Sequence, residues 1–298
     1  MKLKKQLWRI SVATSLEAED AVMELLNSFS TNSASAYFNL ETQASLVSVF
    51  SEKPFPKSTR ANVAAGLREI KKCDLDIGTG EIEIAKVKRE DWAESWKKHF
   101  RPLEIGDSLL VKPSWSKKRP HKNQAVVILD PGLSFGTGQH PTTSFCLGQI
   151  AKYQGKDKSF FDLGTGSGIL AIAAAKLGFA PVQAVDFDPD CVRIAQANAR
   201  NNRVQFKIRI KQGDVTKLPL NPKVKYDLVC ANLISNLLIA ERRRIIGQLK
   251  AGGILVLAGI LKIEFSQVQA AFEQLGLKLI AARSEKEWCS GSFRFVKK

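Results

Sequence analysis

Residues 159–178 read SFFDLGTGSGILAIAAAKLG. A short apolar run, 159–163, enters a turn with glycines at 164, 166 and 168. An apolar helix-like stretch then ends at Gly178. Strand, glycine turn and helix make the opening unit of a doubly wound α/β fold. Glycines let backbone approach a ligand closely, and the helix start offers unpaired N–H groups. A dinucleotide fingerprint would need a third glycine at 169, and that residue is Ile169. A dehydrogenase is therefore disfavoured.

Working outward, 182–185 reads as the next strand and ends at Asp186. A carboxylate there can accept both ribose hydroxyls of a nucleoside. Asp188 and Pro189 then suit the cap and first turn of a helix. A third strand is expected over 204–210, followed by Gly213-Asp214-Val215, whose side chain or backbone suits an adenine edge. A fourth strand, 226–231, runs into Asn232-Leu233-Ile234, an amide positioned to accept a hydrogen bond from an amine. Asn232 is followed by Leu233, Ile234 and Ser235 rather than by two prolines and an aromatic. Gly252-Gly253 turns into ILVLAGIL, and a helix and two strands follow. Ahead of the core, LDPGLSFGTGQHPTT (129–143) reads as a glycine-rich loop or lid before a helix.

The first 90 residues have another character. Residues 7–13 read as a strand, and Thr14 and Glu17 have capping-box spacing. Val22, Leu25, Leu26 and Phe29 form one helical stripe. Strands follow at 34–40 and 46–50, then a helix capped by Ser58 with Val63, Leu67 and Ile70 inward, then EIEIAKV. The order βαββαβ is the ferredoxin-like arrangement. Trp92, Trp96 and Phe100 recur on one face of an expected linker helix.

The chain has 298 residues and a formal net charge of +16. Residues 1–90 hold 13 Lys+Arg against 12 Asp+Glu, and the remainder 32 against 17. A basic surface concentrates acidic partners, nucleic acid among them, although solvated lysine faces give the same composition. Residues 97–122 carry eight Lys+Arg against Glu104 and Asp107, with Trp115 inside the run. Aromatics interleaved with basic residues can stack on nucleic-acid bases, and a loop of solvated lysines is the other reading of this segment. The longest apolar stretch, 254–261, is far short of the ~20 residues of a membrane span. Five widely spaced cysteines without a CxxC indicate reduced thiols and a cytoplasmic protein. Three histidines without ligand spacing indicate no metal site.

DxGxGxG with Asp162 at its head resembles the first motif of S-adenosylmethionine methyltransferases. IGDSLLVKPSW, LDPGLSFGTGQHPTT, AVDFDP, NARNN, ANLI and EKEWCSGSF together resemble the bacterial ribosomal protein L-eleven methyltransferases of the PrmA type, over nearly the whole chain. The resemblance implies a class I methyltransferase core with a Rossmann-like seven-stranded sheet, preceded by a small ferredoxin-like α+β domain. The expected division is 1–88 for substrate recognition, 89–125 for a linker helix and basic segment, and 126–298 for the methyltransferase domain. It implies S-adenosyl-L-methionine as cofactor. Cofactor positions fall on Thr143, Gly164, Asp186 and Asn232, with Asp162 and Gly166 in the glycine motif and Phe135 and His140 in the enclosing loop. Asn232 is the expected catalytic residue. The implied substrate is ribosomal protein L-eleven, modified at lysine side chains or its N-terminal amine. A lysine methyltransferase of another protein, an RNA methyltransferase and a binding protein on a degenerate core are the rival readings. The intact Asp162, glycines, Asp186 and Asn232 count against the last.

Overall fold

Period-two alternation in the first strand sends Ile10 and Val12 to one face of a sheet, and two helices cover that face. A computed structural model describes residues 6–30, 34–39, 44–88, 102–130, 140–155 and 157–295. The chain forms two units, 1–99 and 100–298.

The first unit runs β1 (Gln6–Thr14), α1 (Glu19–Asn27), β2 (Ser35–Asn39), β3 (Ala44–Ser51), α2 (Thr59–Lys72), β4 (Glu81–Lys88). The sheet order is β2-β3-β1-β4, antiparallel throughout, which is the ferredoxin-like topology. Its core joins Ile10, Val12, Val22, Leu26, Val47, Val49, Val63 and Leu67. The expected capping box does not form. Thr14 is taken up by the strand, and α1 starts later, behind Ala18. Glu17 instead accepts from the Asp76 N–H, and Ser15 Oγ accepts from the Ala18 N–H. Ser58 stands at the cap position of α2, but its side chain makes no cap bond.

The second unit begins within the segment expected as linker and basic run. There β5 (Leu103–Ile105), β6 (Leu109–Lys112) and β7 (Ala125–Ile128) form a three-stranded sheet. β6 pairs parallel with β7, so the pairing crosses the expected boundary at 125/126. The apolar alternatives in 103–112 are short and were masked in the sequence by the surrounding lysines. Trp92, Trp96 and Phe100, with their expected helix, lie outside the described residues. α3 (Pro141–Lys152), β8 (Phe160–Leu163), α4 (Ile169–Lys176), β9 (Val182–Asp186), α5 (Pro189–Asn201) and β10 (Ile208–Gln212) come next. β11 (Tyr226–Asn232), α6 (Ser235–Ala240), α7 (Arg242–Gly247), β12 (Leu249–Leu261), α8 (Phe265–Glu273), β13 (Leu277–Glu285) and β14 (Trp288–Phe295) complete it.

The seven-stranded sheet has the order β10-β9-β8-β11-β12-β14-β13, with β14 antiparallel to both neighbours. Helices cover both faces, so the central strands are apolar on both sides. Phe160, Ala184 and Cys230 point into one core; Phe161, Leu163, Val185 and Val229 point into the other. Seven of the eight residues of α4 are buried, which explains a helix without a polar face. The third core strand is later than expected, 208–212 rather than 204–210, because Val204 instead packs into the core from a turn. Strand order reverses beside β8, between β9 and β11, and such a switch point leaves a crevice at the strands' carboxyl ends.

Candidate functional site

The crevice is shaped by the turn after β8. Gly164, Gly166 and Gly168 all have positive φ, at 72°, 51° and 81°. At Gly168 a Cβ would lie 3.1 Å from the Ala195 Cα, so only glycine lets α5 pack against the turn. Asn198 reinforces that contact by donating to the Ser167 carbonyl at 2.8 Å. Asn202 anchors the other end of α5: its amide donates to the Ile128 carbonyl and accepts from the Ile128 N–H. The NARNN stretch is therefore scaffold for the turn.

Asp186, at the end of β9, is 7% exposed and lines the cavity. Its Oδ2 accepts from the Gly166 N–H at 2.8 Å and its Oδ1 from the Asp188 N–H at 3.1 Å. Asp188 caps α5 by accepting from the Asp190 N–H, as its position before Pro189 predicts. Asp162 is fully buried beneath the turn and is not on the cavity wall. Its Oδ2 accepts from the Thr165 hydroxyl at 2.7 Å, and Thr165 does line the cavity. The Oδ1 makes no hydrogen bond of good geometry; the Ala171 N–H, in the first turn of α4, only comes close enough to favour the charge. Burial dominates and pushes the Asp162 carboxyl up to about 7, against the Thr165 bond, with the nearby Asp186 charge adding to the rise.

The opposite wall is Asn232, at the end of β11. Its Oδ1 is buried and has no hydrogen-bond partner among the described residues. Gly259 of β12 lies under it with φ of 80°, where a Cβ would meet the Leu233 carbonyl oxygen at 2.7 Å and the Asn232 Oδ1 at 3.0 Å. Thr143, in the first turn of α3, contributes a second buried and unpartnered oxygen. His140 stands at the cap of α3 with Nδ1 2.7 Å from the Thr142 hydroxyl, and its ring meets Trp288 edge-on at 4.8 Å. Burial lowers its pKa, outweighing the attraction of Glu287 and Glu285, so the imidazole is neutral at pH 7.

These walls enclose about 480 Å³. That lies within the ~300–1,000 Å³ of small-molecule sites. Of the expected residues, His140, Thr143, Gly164, Gly166, Asp186 and Asn232 are brought together, along with Gly213, Asp214 and Val215. The Asp214 Oδ1 accepts from the Thr216 N–H and hydroxyl, which holds the carboxylate against its own turn. Phe135 lies outside the described residues, as does most of its glycine-rich loop. Ile169, Leu170, Phe187, Leu237, Gly259 and Trp288 also line the cavity and were not anticipated. Phe187 is 75% exposed, and it follows Asp186 directly. That adjacency was the one signal that could have found it. The two unpartnered oxygens and the apolar lip call for a ligand with amine or hydroxyl donors on an apolar frame, which fits the nucleoside and amino-acid ends of S-adenosylmethionine.

The family model for "Ribosomal protein L11 methyltransferase (PrmA)" matches residues 6–295. A protein named ribosomal protein L11 methyltransferase from Caldicellulosiruptor bescii is 35% identical over 300 residues, covering 95% of this chain and 96% of its own. One of the same name from Alkaliphilus oremlandii is 38% identical over 216 residues, 72% of this chain and 68% of its own. Among solved structures, a ribosomal protein L11 methylase from Lactobacillus delbrueckii subsp. bulgaricus superposes with a TM-score of 0.59 at 27% identity. It covers 66% of this chain and 99% of that one. With the glycine turn, Asp186 and Asn232 assembled at the switch point of the sheet and the match running through both units, the chain belongs to the ribosomal protein L11 methyltransferase (PrmA) family.

Proposed function

We propose that this protein is a cytoplasmic enzyme that transfers methyl groups from S-adenosylmethionine to amino groups of ribosomal protein L11, on lysine side chains or at the N-terminus. One observation carries the reading: a single cavity joins the Asp186 carboxylate, the glycine turn, and the unpartnered oxygens of Thr143 and Asn232. In this reading Asp186 accepts the ribose hydroxyls, and Gly164 and Gly166 offer close backbone. Thr143 accepts from the amino-acid portion. Asp162 acts through Thr165, and His140 holds the loop-to-helix junction. Phe135 is assigned to covering the cofactor on the family resemblance. Residues 1–88 choose the substrate, 89–125 connect, and 126–298 carry the chemistry.

When bound, S-adenosylmethionine supplies an electrophilic methyl on a sulfonium. The chain's task is to present a neutral amine in line with it. A lysine with pKa ~10.4 costs roughly 4–5 kcal/mol to deprotonate at pH 7. The apolar lip of Phe187, Ile234 and Leu237 disfavours the ammonium form by desolvation. Asn232 Oδ1 accepts a hydrogen bond from the amine and so orients its lone pair toward the methyl. Among the described residues Asp186 and Asp214 are the carboxylates that line the cavity, and in this reading water takes the proton.

The partner reading includes a weak ribosomal RNA contact by the basic segment. Among its described residues, Lys118 pairs with Glu104 at 2.8 Å and Lys112 donates to the Ser116 and Lys118 carbonyls, so Lys117, Arg119 and Lys122 are the described cations offered for such a contact. The deciding experiment incubates the protein with methyl-labelled S-adenosylmethionine, purified ribosomal protein L11 and ribosomal RNA. Label in L11 amines is expected; label in RNA alone would overturn the reading.

A further inference from the structure

A second and larger cavity, about 930 Å³, lies at the other edge of the seven-stranded sheet. It is formed by the approach to β11, by α7, by the first residues of β12 and by the end of β14. β11 begins at this cavity and ends at Asn232 in the catalytic one. Seven residues of strand separate the two by roughly 20 Å. A partner held here leaves the catalytic mouth open.

Its floor is apolar: Leu220, Ile246, Leu249 and Leu275, with the half-buried Phe295 at one end. Its charged lining is Lys225, Arg243 and Arg294, and among the described residues no Asp or Glu lines it. None of the three makes an ion pair among the described residues, whereas neighbouring cations do. Arg244 is held by Glu241 at 2.9 Å and Lys250 by Asp227 at 2.7 Å. The site therefore combines three cations that make no ion pair among the described residues with an apolar floor that has an aromatic at its end.

We propose that this groove binds single-stranded nucleic acid, RNA in this protein's setting, with backbone phosphates on Lys225, Arg243 and Arg294 and a base against Leu249, Leu275 and Phe295. Guanidinium groups match phosphate oxygens in a two-pronged geometry, and bases stack on apolar and aromatic surfaces without sequence preference. An acidic polypeptide would satisfy the cations but gives the apolar floor nothing to cover it. The inference does not rest on the methyl-transfer reading.

The test is fluorescence anisotropy of a labelled poly-uridylate of about 12 nucleotides with the full chain, titrated between about 50 and 200 mM salt. The variant Lys225→Gln/Arg243→Gln/Arg294→Gln is compared with Lys117→Gln/Arg119→Gln. Each phosphate contact on a single strand contributes ~0.7 to the slope of log affinity against log salt, so the groove variant should lose about 2 units of slope. It should bind at least about tenfold more weakly near 0.1 M salt. Arg243→Gln and Arg294→Gln singly should each lose ~0.7, which keeps the test decisive if the triple variant misfolds. Methylation of L11 should be unchanged in the groove variants. An unaltered slope in the groove variants, or a loss confined to Lys117→Gln/Arg119→Gln, overturns the proposal. Poly-glutamate competing as well as the oligonucleotide also overturns it, in favour of an acidic polypeptide.

Discussion

The Asp186 carboxylate accepts a hydrogen bond from the Gly166 N–H at 2.8 Å, so the end of the second core strand is bonded to the turn that follows the first. With the Asp188 N–H on its other oxygen, the carboxylate is aimed before any ligand arrives. Lone pairs remain on both oxygens for a pair of ribose hydroxyls.

Asp186→Ala removes a charge-assisted acceptor, worth ~1.5–3 kcal/mol. S-adenosylmethionine affinity should therefore fall roughly 10–150-fold. Calorimetric titration measures this directly. Unchanged affinity in a folded variant would sink the ribose assignment.

Asp162 makes stability depend on pH. Its folded carboxyl titrates at about 7, because burial disfavours the charge. In the unfolded chain an aspartate titrates near ~3.9. Between those values the folded protein holds a proton that the unfolded chain has lost, so the stability from this group is full below about pH 4 and drains as pH rises through about 7. Asp162→Asn keeps an oxygen for the Thr165 hydroxyl and abolishes the drain. The variant should gain up to about 4 kcal/mol relative to wild type at pH 8 and little at pH 4. Urea melts across that range would show parallel wild-type and variant curves if the carboxyl were ordinary.

The core was legible in the sequence where local chemistry admits one answer. Three glycines between an apolar strand and an apolar helix have few alternatives, and Asp188-Pro189 starts a helix on its own. The front unit's order was legible from its periodicity, but the Thr14–Glu17 cap was not. A strand pairing with two neighbours claimed Thr14, and that competition is tertiary. Strands 103–105 and 109–112 are too short to show a period against their lysines. Gly259 and Trp288 join the site only because β12 and β14 pair beside β11, far away in sequence. The interior position of Asp162, behind Thr165 rather than on the wall, likewise needs the folded turn.

Gly259 tests that cross-strand dependence. Gly259→Ala places a methyl carbon 2.7 Å from the Leu233 carbonyl oxygen and 3.0 Å from Asn232 Oδ1, on backbone with φ of 80°. The strain should cost about 1–3 kcal/mol of stability. The displaced Asn232 should lose its aim at the amine, and Asn232→Ala should show the same loss without the strain. Both should lower kcat about 10²-fold while cofactor affinity changes far less. Single-turnover rates beside equilibrium titration separate the two quantities. A fall in affinity that accounts for the whole loss would remove Asn232 from the acceptor's side.

The front unit is the last prediction. It has its own core of ten buried residues and its own four-stranded sheet. We assign this self-contained fold to substrate recognition, and deletion tests the assignment. Both hydrophobic clusters and the seven-stranded sheet of the second unit lie beyond residue 100, so that unit is expected to fold when residues 1–88 are removed. Its affinity for S-adenosylmethionine should stay within about twofold of the full chain, less than the ~1.4 kcal/mol of a tenfold change. Methylation of ribosomal protein L11 should fall by orders of magnitude, while a short lysine peptide at high concentration should still be modified slowly, because the amine-orienting groups remain. Adding the front unit back in trans should not restore L11 methylation, since its effect is to raise the local concentration of substrate. Full activity of the truncated enzyme on L11 would refute the recognition role and move substrate choice to the walls of the catalytic cavity.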